Sequence, residues 1–177
     1  IVTIIFHINY ILIFIFQYFT VSLHSKIIYM IDIKKNFEKY ININSGGCGV
    51  FAVEIYKLLK RMNPMSSVEI YILTNRTKKY YDKCSAEIKK GKGYFTVSKL
   101  FKKELFINHV VVKLDNYFYD IDGQFTEKEL LSKWKCKKLI NIPFDDMNTL
   151  IKRKDGWNSY FDRSQIKDIR TEFSKII

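Results

Sequence analysis

Cys48 stands in the run Ser45-Gly46-Gly47-Cys48-Gly49, directly ahead of Val50 to Met62, which is apolar nearly all round at first and basic at its end. That pattern predicts a buried helix with cations at its C-terminal pole and Asn63-Pro64 as its stop. A thiol in the first turn of such a helix meets backbone N–H groups and the positive end of the dipole, which favour the nucleophilic thiolate. The flanking glycines allow a sharp turn and let a substrate carbonyl approach the Cys48 N–H, as an oxyanion hole requires. A thiol nucleophile needs a base, and the base needs an acceptor that fixes its tautomer. Of the three histidines, His7 and His24 lie within the first 25 residues, which leaves His109 as the base. Asp120 and Asp122 follow it closely in the chain. The chemistry this set would support is attack of Cys48 on an amide or thioester, with His109 shuttling the proton and an aspartate orienting His109.

The elements that must position these residues are partly readable. Val110, Val112 and Leu114 alternate with His109, Val111 and Lys113; Asp115-Asn116 is a two-residue turn; Tyr117, Tyr119 and Ile121 then alternate with Phe118, Asp120 and Asp122. This predicts a β-hairpin in which 114 pairs with 117, 112 with 119, 110 with 121 and 109 with 122. Val110, Val112, Leu114, Tyr117, Tyr119 and Ile121 form the core face, while His109, Asp120 and Asp122 share the non-core face. Pairing alone puts Asp122 directly across from His109 and Asp120 on the diagonal. Upstream, Asp32 to Tyr40 has the spacing of a short amphipathic helix, Val68 to Leu73 reads as a strand, Thr74 to Lys92 as a solvated loop with a poor helix, and Tyr94 to Val97 as a second strand. Downstream, Thr126-Glu127-Lys128-Glu129 has the capping-box pattern ahead of Leu130, Leu131 and Trp134, so a helix follows the hairpin, and Ser159 to Ile177 predicts another.

A chain of 177 residues allows one core. Thirty Lys+Arg against 18 Asp+Glu give a formal charge of +12, yet arginine occurs only at 61, 76, 153, 163 and 170. A lysine surplus without arginine is a poor basis for specific recognition. It leaves one alternative function, a non-catalytic nucleic-acid-binding protein using the basic, tyrosine-interleaved stretch from Lys78-Lys79-Tyr80-Tyr81 to Lys103. Cys48, Cys84 and Cys136 contain no CxxC pair, which argues against a disulfide framework or zinc ribbon and for a reducing, cytoplasmic setting. Cys84 and Cys136 read as structural. Residues 1–23 carry no Asp, Glu, Lys or Arg. They are long enough for a membrane anchor, or residues 1–29 are translated upstream sequence with Met30 as the start and 30–177 as the single domain.

The glycine-flanked Cys48 ahead of a buried helix, His109-Val110-Val111-Val112, and Tyr119-Asp120-Ile121-Asp122-Gly123 with Thr126-Glu127 and Trp134 after it resemble the papain-like and transglutaminase-like superfamily. The nearest likeness is to its small bacterial and phage proteins with Gly-Gly-Cys before the helix, and it covers roughly residues 40 to 135. The resemblance implies an α+β domain in which an antiparallel sheet packs on the helix carrying the nucleophile. It implies a Cys48-His109-Asp120 triad, choosing Asp120 where strand pairing alone chooses Asp122. Papain-type proteases place a Gln before the Cys as an oxyanion donor; here only Asn42 and Asn44 stand in that region. The expected activity is a cysteine-dependent hydrolase or acyl transferase taking a peptide, protein or small amide or thioester substrate, with no metal or organic cofactor.

Overall fold

The computed structural model describes residues 40, 43–92, 97, 107–152 and 163–175. The helix expected over Asp32 to Tyr40, the segment 1–29 and Asn42 therefore fall outside the described residues, apart from Tyr40 itself. Among the described residues, no helix is long and apolar enough to cross a membrane.

The chain forms an α+β fold. A wide π-turn, Ile43–Gly47, leads into α1, Cys48–Met62. There follow β1, Val68–Thr74; α2, Lys78–Lys89; β2, His109–Leu114; β3, Tyr117–Asp120; β4, Gly123–Phe125; α3, Glu127–Lys133; β5, Lys138–Ile142; α4, Phe144–Lys152; and α5, Arg163–Lys175. The five strands make one antiparallel sheet in the order β4-β3-β2-β1-β5. The hairpin register matches the sequence expectation where both strands are present: Val112 pairs with Tyr119 and Leu114 with Tyr117 across the Asp115-Asn116 turn.

Helix α1 packs along β1 and β2. Strand alternation puts Ile70, Ile72, Val110, Val112, Ile140 and Ile142, all buried, on one face of the sheet, and α1 supplies the matching layer of Val50, Phe51, Val53, Leu58 and Leu59. Burying a side chain of this size contributes about 1.5–3 kcal/mol each, so this layer dominates the stability of the unit. Two further helices brace α1. Phe173 of α5 meets Phe51 with ring centroids 5.6 Å apart, and Arg170 pairs with the buried Glu54 at 3.0 Å. At Gly49 a Cβ would stand 2.5 Å from Met147 Cε and 3.2 Å from Ile151 Cγ2 of α4. The missing side chain is thus filled by a neighbouring helix, which corrects the expectation that this glycine opens space for a substrate.

The other face of the hairpin is also covered, contrary to the reading of it as a non-core face. Leu73, Val111, Phe118, Leu130 and Cys136 form a second buried cluster, with Trp134 and Phe125 against it. The physical reason is the short connection after β4: the capping box, with Thr126 Oγ1 accepting from the Glu129 N–H and the Glu129 carboxylate from the Thr126 N–H, starts α3 at once and turns it back over this face. Tyr117, expected in the core, is 42% exposed beside the hairpin turn.

Two segments differ from the sequence expectation. Thr74 to Lys92 holds a regular helix, α2, whose N-cap Thr77 accepts from the Tyr80 N–H and whose Tyr81, Cys84 and Ile88 form a buried stripe. Val97 is helical, and the rest of the strand expected over Tyr94 to Val97 lies outside the described residues.

Candidate active site at the head of helix α1

The π-turn ahead of Cys48 is shaped by Gly46, whose φ of +113° is a conformation that residues with a Cβ rarely adopt. Right-handed winding breaks there, and regular helix begins at Cys48. Gly47 offers no side-chain cap to the first turn. Cys48 is thus the first regular residue of a helix whose body is buried in the core.

His109 opens β2 and Asp120 ends β3, so both stand at the same end of the sheet. Nε2 of His109 lies 3.0 Å from Oδ2 of Asp120. The other Asp120 oxygen, Oδ1, accepts the Asp122 N–H at 2.8 Å, which locks the carboxylate toward the imidazole. With Nε2 directed at a carboxylate, Nδ1 is the nitrogen left for a proton exchange, and it has no hydrogen-bond partner of regular geometry. The Cys48 thiol is close enough to raise the pKa of the same ring. Burial is the largest influence on His109 and favours the neutral imidazole. The hydrogen bond to Asp120 and the interactions with Cys48 together outweigh it and hold the pKa at about 8, above the ordinary value of 6.5. His109 is 0%, Asp120 2% and Cys48 3% exposed, so the three groups interact in a poorly hydrated space.

Asp122 is brought elsewhere. Strand β3 ends at Asp120, and Ile121-Asp122 form the tight turn into β4, closed by the Asp120–Gly123 pair with Gly123 at φ +127°. The pairing of 109 with 122 therefore does not form, because the chain has already reversed. Asp122 Oδ2 instead accepts from Asn44 Nδ2 at 3.3 Å and from Lys133 Nζ at 2.5 Å. Asn44 thus ties the π-turn to the β3–β4 turn, while its own Oδ1 is buried with no hydrogen-bond partner.

Two residues of this region were given no role in the site by the sequence. Trp134 stacks on His109, with ring centroids 3.7 Å apart and planes 18° from parallel, and shields the histidine from water. Lys133 sits beside both aspartates. The available signal was the short β4–α3 connection, which forces the end of α3 onto the His109 face.

Cys84 and Cys136 are buried free thiols. Burial pushes the Cys84 thiol up to about 11 and raises Cys136 as well. Four lysines of α2 and its exit are paired: Lys78 with Asp82, Lys89 with Asp146, and Lys90 and Lys92 with Glu87.

No curated protein and no solved structure matches this chain. The family model described as Phage YunG-like protein matches residues 26–171, which takes in Cys48, His109, Asp120 and every element from the π-turn to α4. The chain therefore belongs to the Phage YunG-like protein family.

Proposed function

We propose that this protein is a cysteine-dependent hydrolase or acyl transferase of papain-like or transglutaminase-like type, with Cys48 as nucleophile, His109 as general base and acid, and Asp120 as the orienting carboxylate. The observation that carries the reading is the buried Nε2–Oδ2 contact of 3.0 Å on a histidine whose ring also interacts with the thiol. A histidine serving only as a core residue needs no second titratable partner.

In this mechanism His109 takes the Cys48 proton through Nδ1 as sulfur attacks the carbonyl carbon of an amide or thioester. The tetrahedral oxyanion collapses to a thioester on Cys48, and His109 returns the proton to the leaving amine or thiol. Water or an amine then attacks the acyl-enzyme with His109 again as base. Asp120 holds the imidazole in the tautomer that presents Nδ1 to sulfur and stabilises the imidazolium as it forms. In this reading the backbone N–H groups around Cys48, in the turn that leads into α1, are where an oxyanion donor is to be sought. Asn44 fits a bridging duty better than a donor's, since its amide already points at Asp122.

The nucleic-acid reading is weaker, because Lys78, Lys89, Lys90 and Lys92 are matched by carboxylates and Tyr81 is buried.

The test uses p-nitrophenyl acetate as a generic activated acyl donor. Wild type should release p-nitrophenolate with a burst and gain one acetyl group on Cys48 in intact-protein and peptide mass spectra. Cys48→Ala should show neither, and His109→Gln should be slower by about a hundredfold or more. Acetylation spread over lysines with no preference for Cys48 would refute the assignment.

A further inference from the structure

The carboxylate that holds His109 also faces a cation. Lys133, in the last turn of α3, places Nζ 2.5 Å from Asp122 Oδ2 and 3.9 Å from Asp120 Oδ2, the same oxygen that His109 Nε2 approaches at 3.0 Å. The ammonium stands 4.3 Å from the centroid of the Phe125 ring and 5.8 Å from that of Trp134, whose ring stacks on His109. The Lys133 side chain is 32% exposed and so reaches from solvent to the buried His109–Asp120 pair. Through Asp122 it is connected to Asn44 and hence to the turn that precedes Cys48. A lysine needing only hydration would gain rotamer entropy by extending into water. This one is held by two carboxylates and two aromatic rings.

Among the described residues, the charged and titratable groups around the His109–Asp120 pair are Cys48 from α1, Lys133 from α3 and Asp122 from the β3–β4 turn; β1 sets the apolar Leu73 opposite His109. Lys133 is the cation of that set.

We propose that Lys133 is a positioning residue for the base: its ammonium grips the Asp120–Asp122 turn and shares Asp120 Oδ2 with the imidazole, and so limits how tightly His109 keeps its proton. The inference rests on the reading of His109 as the base for Cys48. A base that holds its proton too firmly cannot return it to a leaving group, so a cation sharing its carboxylate keeps the proton transferable near neutral pH. Nζ lies within about 7 Å of Nε2, where like charges repel appreciably even with partial solvent screening. Removing the ammonium leaves Asp120 to the imidazolium alone.

The experiment follows the His109 imidazole titration by NMR in wild type, Lys133→Met and Lys133→Arg, with His109→Gln assigning the resonance. Met keeps an apolar stem over Phe125 and Trp134, and thermal melts verify that each variant is folded. The His109 midpoint should rise by roughly half to one pH unit in Lys133→Met and return to the wild-type value in Lys133→Arg. A midpoint that stays put or falls in folded Lys133→Met overturns the proposal. So does a Lys133→Arg midpoint that follows the Met variant, since charge would then not be the cause. Alkylation of Cys48 in wild type and His109→Gln separates the two readings: equal rates there remove the base–nucleophile reading, whereas a His109-dependent rate with an unmoved titration in Lys133→Met removes only the role of Lys133.

Discussion

Cys48 and Cys84 are both buried thiols on helices, and they differ in what stands beside them. Cys84 lies in the middle of α2, on a stripe with Tyr81 and Ile88, where burial drives its thiol up to about 11 despite partial compensation from Tyr80 and Arg76. Cys48 begins α1 and influences the pKa of an imidazole that is itself bonded to a carboxylate. Burial alone silences a thiol, because the anion loses its hydration. Burial with a base and an orienting carboxylate gives a thiol somewhere to send its proton, in a medium where that interaction is strong. The comparison predicts that disturbing the partners of Cys48 changes chemistry, whereas disturbing the surroundings of Cys84 changes only stability.

The largest effect should come from Asp120, the orienting carboxylate of the proposed mechanism. Asp120→Asn should slow acyl transfer to Cys48 by about a hundredfold or more, since the amide supports the wrong tautomer and offers no charge to the imidazolium. Asp122→Asn, which loses contacts only to Asn44 and Lys133, should fall by less than about tenfold. Matched kinetics with p-nitrophenyl acetate on folded proteins decide this, and a reversed order would favour the simple strand-pairing argument.

A second effect is pH dependence of stability. The folded-state pKa of His109, about 8, exceeds the ordinary 6.5, so its contribution is fully present below pH 6.5 and is lost as pH rises through 8. The shift corresponds to about 2 kcal/mol. Urea melts at pH 6 and pH 9 should show wild type losing roughly that much relative to His109→Gln over the same interval. Parallel behaviour of the two proteins would show that His109 gains no charged partner on folding.

Smaller effects test the packing side. Cys84→Ala should cost about 1–2 kcal/mol in a denaturant melt, by emptying a fully buried position, and should leave the acyl-transfer rate unchanged. Gly49→Ala should cost about 1 kcal/mol, because Met147 Cε can swing away from a new Cβ while Ile151 must give by a few tenths of an ångström.

The parts of this molecule that sequence made legible are those whose signals are local. The α1 helix has its apolar run and its Asn63-Pro64 stop, the hairpin has its alternation and two-residue turn, and α3 has its capping box. Helix α2 was hidden because its lysines dominate the composition while Tyr81, Cys84 and Ile88, at i, i+3 and i+7, are spaced across it. Strand β5 alternates Ile140 and Ile142 with Asn141 after two lysines, and α4 carries Met147, Leu150 and Ile151 right after Pro143; both were readable by period yet too short to stand out. Register beyond the end of β3 was not readable at all, and that is why strand pairing favoured Asp122. Where a strand stops depends on Asp120 accepting the Asp122 N–H and on Gly123 taking a positive φ, a turn decision that alternation does not encode. The burial of the His109 face was equally non-local, since it depends on α3 folding back.

The most direct test of the central claim is competitive alkylation of the folded protein with limiting iodoacetamide near neutral pH, read by peptide mass spectrometry at all three cysteines. The account predicts that Cys48 is carbamidomethylated first, by at least about tenfold over Cys84 and Cys136, and that the advantage disappears in His109→Gln. Equal labelling of the three thiols, or a Cys48 that reacts no faster than Cys84, would contradict it.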